Sequence, residues 1–119
     1  MNQLTIIGNL TRDPETRSTK DGDSVTNFTV AVNRSSGDAD FFRVTCWGTL
    51  GENCAKFLSK GKKVAVIGSV YASAYADREG NPAASLEVSA ARVEFLSPVS
   101  INTEDSKPQK NNYRNNNRR

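Results

Sequence analysis

Between Leu4 and Phe95 the apolar residues alternate with polar ones in every patterned segment except one, and that single change of period is the strongest constraint on the fold. Side chains on a strand point to opposite faces in turn, whereas those on a helix return to one face every three or four residues. LTIIGNL places Leu4, Ile6, Gly8 and Leu10 on one face and ends in the turn-like Asp13, Pro14 and Glu15. The turn KDGD, Lys20 to Asp23, leads into VTNFTVAVN, where Phe28, Val30 and Val32 share a face. A polar loop, RSSGDAD, separates this second strand from a third, FFRVTCWG. The exception follows: in TLGENCAKFLSKG, Leu50, Cys54, Phe57 and Leu58 fall on one stripe of a helix of about three turns. Thr49 and Glu52 fit a capping box at its start and Gly61 fits its stop. KKVAVIGSVYASAY then resumes alternation, with Val64, Val66, Gly68 and Val70 inward. After the turn DREGNPA, the fifth strand SLEVSAARVEFL runs inward through Leu86, Val88 and Ala90 and then slips to Val93 and Phe95, as one extra residue at a bulge would produce.

Three strands, one helix and a two-stranded ribbon is the element order of the OB-fold, so the expected class is all-β: a five-stranded Greek-key barrel with one helix between strands three and four. Gly8 and Gly68 support it, because each lies on an inward face where a missing side chain lets a long strand bend around a small core.

The outward face of the third strand is unusual. Phe42, Val44 and Cys46 point inward, which leaves Phe41, Arg43, Thr45 and Trp47 outside. In an OB-fold the outer surface of strands two and three is the usual nucleic-acid face. Single-stranded nucleic acid offers bare base faces and a line of phosphates, and it is matched by aromatic rings with cations between them. Phe41 and Trp47 are therefore candidate stacking residues and Arg43 a phosphate contact. Tyr71 and Tyr75 repeat the arrangement on the fourth strand, and Arg34, Lys60, Lys62 and Lys63 are candidate guides for the backbone. Each has a plainer reading: outward aromatics also cover subunit interfaces, and Lys60 in the last helical turn also complements the helix dipole. The outward set Ala65, Ile67 and Tyr71, together with an exposed first strand, calls for a covering partner and points to a homo-oligomer.

Charge and composition narrow the function classes. Without histidine the commonest general base is missing, and the two cysteines, Cys46 and Cys54, are too few for a metal site, so the expectation is a non-enzyme without metal or cofactor. No apolar run is long enough to span a bilayer and the start MNQLTIIGNL has no basic n-region, which points to a cytoplasmic protein with no membrane partner. Residues 1–96 carry eleven basic and eleven acidic side chains, so the net charge of +3 lies in residues 97–119, where five basic residues face two acidic ones. That Asn-rich tail is expected to be disordered and to act either as a solvated end or as a basic arm for polyanions.

NQLTIIGNLTRDPETR, VTNFTVAVNR, DFFRVTCWG, LSKGKKVAVIGSV and the YADREGN turn, in this order and spacing, resemble the bacterial single-stranded DNA-binding protein family across residues 1–96. The resemblance implies a homotetramer of OB-folds, associated with the nucleoid, that wraps single-stranded DNA with little sequence preference and protects it during replication, recombination and repair. It also implies stacking roles for Phe41, Trp47 and Tyr75, with Arg43 as a phosphate-contacting cation. The chain departs from the family in two places. RSSG, with Ser36 and Arg34, stands where the family commonly has another stacking aromatic, so one platform is missing. The chain reads NNNRR where replicative members have an acidic tip, so recruitment of partner enzymes through such a tip is not expected. Two other classes stay open: a protein-interaction OB module such as a primosome-assembly subunit, and an RNA-binding OB domain, which uses the same stacking physics.

Overall fold

The computed structural model describes residues 1–98; the predicted tail, apart from Ser97 and Pro98, lies outside the described residues. Six strands and one helix follow one another as β1 (Leu4–Leu10), β2 (Glu15–Ser18), β3 (Ser24–Asn33), β4 (Ala39–Trp47), α1 (Gly48–Phe57), β5 (Lys63–Ala76) and β6 (Pro82–Phe95). Hydrogen bonding runs β1-β5-β6-β4-β3, and β1 also pairs with β3 at Asn9↔Ala31 and Leu10↔Val30, so five strands form a ring. These five are the ones that the alternation predicts. All the pairings are antiparallel except β4 with β6, which is parallel over Phe42↔Leu86 to Thr45↔Ser89.

The sixth strand is the one that the sequence pattern does not announce. Glu15–Ser18 is exposed along its whole length and pairs with the first half of β3, on the edge that β1 takes up further along. With no apolar alternation to mark it, it is held by backbone pairing and by the hydroxyls of Thr16 and Thr26, 2.8 Å apart. That contact also gives a partner to Thr26, which is fully buried. An unpaired buried hydroxyl would cost about 1 to 3 kcal/mol.

The core is where the inward phase placed it. Ile6, Leu10, Phe28, Val30, Val44, Cys46, Val64, Val66 and Val88 are buried from the strands, Cys54 from the helix and Leu58 from the residue that follows it. Cys46 and Cys54 are free thiols. A hydrogen bond between them, reinforced by burial, pushes the Cys46 thiol far above its ordinary range. Both predicted inward glycines mark backbone crossings: a Cβ on Gly8 would meet the Ala31 carbonyl oxygen at 2.2 Å, and one on Gly68 would meet that of Ser89 at 2.1 Å. The predicted slip in the last strand is also present. Ile67 pairs with Arg92 but Gly68 pairs with Ala90, so Ala91 is the extra residue.

The helix ends differ from expectation. It begins at Gly48 with Trp47 as the N-cap residue, and no side chain caps it, so Thr49 and Glu52 do not form a capping box. Both are already inside the first turns, because Gly48 at φ +61° lets the chain leave β4 and enter the helix without a linker. The helix stops at Phe57, with Leu58 extended as its C-cap, and Gly61 belongs instead to the turn that follows, where the Lys62 N–H donates to Ser59. A third close approach seats the helix: a Cβ on Gly51 would lie 2.6 Å from the Cys46 carbonyl oxygen.

Candidate nucleic-acid interface

Strand register decides which outward side chains meet. Phe41, Arg43, Thr45 and Trp47 of β4 stand opposite Ala31, Thr29, Asn27 and Val25 of β3. On the other side of β4, Arg43 and Thr45 stand beside Glu87 and Ser89 of β6, and these in turn face Tyr71 and Ser69 of β5. Paired residues share a face, so the outward surfaces of β3, β4, β6 and β5 form one continuous sheet face. The β5–β6 ribbon carries Tyr75, opposite Ala83, to the end of that face, and its turn is fixed by the Asp77 carboxylate, which accepts the Glu79 and Asn81 N–H groups. Phe41, Trp47, Tyr71 and Tyr75 are 57, 52, 54 and 53% exposed, so each is half open to solvent.

Arg43 occupies the middle of this face and divides two hollows. One, of about 260 Å³, is lined by Arg12, Asp13 and Glu15 from the β1–β2 segment, by Asn27, Phe28 and Thr29 of β3, and by Arg43. The other, of about 250 Å³, is lined by Arg43, Glu87, Ser85, Ser73 and Tyr75. Thr45 donates its hydroxyl proton to Asn27 across β3 and β4 at 2.9 Å, which stiffens the floor beside the first hollow. Arg43 itself lies 3.6 Å from the Glu87 carboxylate. The lining of the two hollows therefore holds two cations, Arg12 and Arg43, against three carboxylates, Asp13, Glu15 and Glu87. The face is an aromatic surface with local cations and not a broadly positive groove.

Of the other predicted backbone guides, Lys60 borders the first hollow through its N–H on Asp13, and the rest lie elsewhere. Arg34 lies in the β3–β4 turn in a two-pronged pair with Asp40, at 2.5 to 3.1 Å. Hydrogen bonding to that carboxylate, helped by its charge, raises the Arg34 pKa, and the guanidinium in return holds the Asp40 carboxyl below its ordinary value. Ser36, in the same turn, shares a hydrogen bond with Asp38. Lys60, Lys62 and Lys63 gather at the opposite end of β5 from the tyrosines: Lys63 pairs with Asn9 of β1, Lys62 donates to the Pro98 carbonyl oxygen, and the Lys60 N–H donates to Asp13. No strand pairing brings them onto the aromatic face. The twelve residues from Lys63 to Tyr75 correspond to roughly 40 Å of extended strand.

The predicted outward apolar set divides in the same way. Tyr71 joins the aromatic face, whereas Ile67 lies across from Thr5 of β1, two pairs from Ile7, which is 52% exposed. Ala65 is buried at 9% exposure, contrary to its outward phase. Its methyl is short enough to be covered by its neighbours, Ile7 of β1 and Glu94 of β6, the latter held by Arg92. Arg12, Asn27, Thr29 and Glu87 also belong to the site, although the sequence pattern does not single them out. Leu86, expected to point inward, is 40% exposed, so the inward run of β6 begins at Val88; the place of Glu87 beside Arg43 comes only from register.

Among the described residues, no group of three or more His, Cys, Asp or Glu side chains is placed to hold a metal ion, and no helix is long and apolar enough to cross a membrane. A family model described as the single-strand binding protein family matches residues 1–96. Single-stranded DNA-binding protein 2 of Listeria monocytogenes is 39% identical over an alignment covering 97% of this chain and 74% of that protein. The single-stranded DNA-binding protein of Caldanaerobacter subterraneus is 43% identical over 84% of this chain and 71% of its own length. That of Halalkalibacterium halodurans is 39% identical over 82% of this chain, which spans 62% of the relative.

Proposed function

The chain belongs to the single-strand binding protein family, and on that premise we propose that it binds single-stranded DNA with little sequence preference and protects it during replication, recombination and repair. The observation that carries this reading is the single face on which four half-exposed aromatic rings surround Arg43. A nucleobase has a π-face whatever its sequence, so stacking on Phe41, Trp47, Tyr71 and Tyr75 binds without reading bases, and Arg43 takes a phosphate between them. Arg34, Lys62 and Lys63 act outside this face, as contacts for strand that continues around the molecule, and Lys60 stands at its border beside Asp13. The protein binds as a non-enzymatic, cofactor-free homotetramer in the cytoplasm, associated with the nucleoid. Support for self-assembly comes from β1: from Leu4 to Gly8 it pairs only with β5 among the described residues, leaving one backbone edge open beside the exposed Ile7.

Parallel titration of labelled oligo-dT, oligo-rU and duplex DNA tests the reading. Tight binding of oligo-dT with weak duplex binding is expected, because paired bases hide the π-faces. Equal binding of oligo-rU would move the assignment towards RNA. Failure to bind any of the three would leave the aromatic face as a protein-docking surface.

A further inference from the structure

We infer that Glu87 is a built-in competitor of the DNA phosphate for Arg43, so that the protein holds its central cation neutralised until single-stranded DNA displaces the carboxylate. The inference rests on the single-strand reading of this face. Arg43 Nη1 lies 3.6 Å from Glu87 Oε2. The same oxygen accepts the Ser85 hydroxyl proton at 2.6 Å, so the carboxylate is anchored on β6 and does not swing with the arginine. Exposure is unequal: the Arg43 side chain is 63% exposed and that of Glu87 only 13%. Arg43 is thus the mobile, solvent-facing member of the pair and Glu87 the fixed one. An ion pair with one partner this exposed is weakly held and is readily exchanged for another anion.

Position turns this pair into a competition. Glu87 and Arg43 line the same hollow as Tyr75, so a base stacked on Tyr75 brings its phosphate to the guanidinium and within reach of the carboxylate. The phosphate offers Arg43 a planar, two-pronged partner in place of a single long contact. In exchange, Glu87 loses its partner and faces a like charge. Binding on this face is then driven more by stacking and less by phosphate contact than the aromatic-cation pattern alone suggests.

The test uses Glu87→Gln, which keeps the shape and can still accept from Ser85 but removes the charge, with Glu87→Ser as a second variant compatible with the serines around it. Affinity for a short oligo-dT is measured by fluorescence anisotropy over a range of salt, with thermal melting as a check on folding. Both variants should bind about tenfold more tightly at low salt, the order expected for removing one like charge near a phosphate. The slope of log affinity against log salt should steepen by up to about 0.7, the value of one additional phosphate neutralised on a single strand. In an Arg43→Gln background the gain from Glu87→Gln should shrink at least about threefold, because no cation remains to be freed. Weaker binding by the variants would overturn the inference in favour of Glu87 as a positioning partner of Arg43. An equal gain in both backgrounds would reduce Glu87 to a simple local charge. If the unaltered protein does not bind oligo-dT, the single-strand reading itself fails, an outcome separate from either of these.

Discussion

Gly68→Ala links the fold to the face more directly than any core truncation. The added Cβ would lie 2.1 Å from the Ser89 carbonyl oxygen and 2.9 Å from Ala90 Cα, both backbone atoms of the partner strand. No side-chain rotation relieves such a clash, so β6 must retreat by about 1 Å beside its bulge, weakening a ladder hydrogen bond as it goes. Overpacking costs about 1 to 3 kcal/mol and a weakened hydrogen bond about 1 kcal/mol more, which gives an expected loss of about 2 to 4 kcal/mol. Gly80→Ala is the control: its φ of +84° opposes a side chain, but nothing lies within 4 Å of the added atom, so only about 1 kcal/mol of backbone strain is expected. Urea unfolding at fixed protomer concentration measures both, since assembly makes apparent stability concentration-dependent. The midpoint should fall clearly further for Gly68→Ala at an unchanged slope, and oligo-dT binding should weaken, because β6 beyond the bulge carries Glu87 opposite Tyr71 and Ala83 opposite Tyr75. A Gly68→Ala protein as stable as Gly80→Ala would refute the claim that the ring depends on this crossing.

The Asp40 carboxyl, held down by Arg34, should titrate below the ordinary value of about 3.9, and Arg34→Gln should return it there. Its folded pKa is depressed, so the small stabilisation it gives is present above the ordinary carboxylate range and lost as pH falls through the lowered value; carboxyl NMR chemical shifts against pH read this directly. If the proposed tetramer forms, with a light-scattering mass of four times 13.0 kDa, Ile7→Glu places a charge on the open β1 edge and should lower that mass, while a wild-type mass of one chain would count against self-assembly through this edge. Deleting residues 99–119, which carry five basic and two acidic side chains, should leave binding intact and flatten the salt dependence by about 0.7 for each phosphate that the tail would otherwise neutralise. Abolished binding would show that the aromatic face is not the primary site.

The parts of the structure that are legible in the sequence are those fixed by local parity. Phe42 and Val44 point inward and Phe41, Arg43 and Trp47 outward because a strand alternates, and the Ala91 bulge shows because it breaks that alternation. Gly8 and Gly68 are readable for the same reason, as gaps in an inward phase. What stays hidden depends on register between strands far apart in the chain. Nothing local says that Glu87 lies beside Arg43 or that Arg12 overlooks the same face. The lysines Lys60, Lys62 and Lys63 form a cluster in sequence, yet β5 carries them away from the tyrosines. β2 escapes because four exposed residues carry no hydrophobic period, and the capping box fails because Gly48 starts the helix before Thr49 is reached.

Trp47 gives the most direct test of the central claim that bases stack on this face. It ends β4 on the outward side, is 52% exposed, and is the only tryptophan in the chain, so its fluorescence reports without ambiguity. Oligo-dT should quench that fluorescence, and Trp47→Ala should weaken binding by about 1 to 3 kcal/mol per stacked base with little change in melting temperature. A Trp47→Ala protein that binds oligo-dT normally but melts well below the wild type would contradict the account, because Trp47 would then belong to the core or to a subunit interface and not to the DNA.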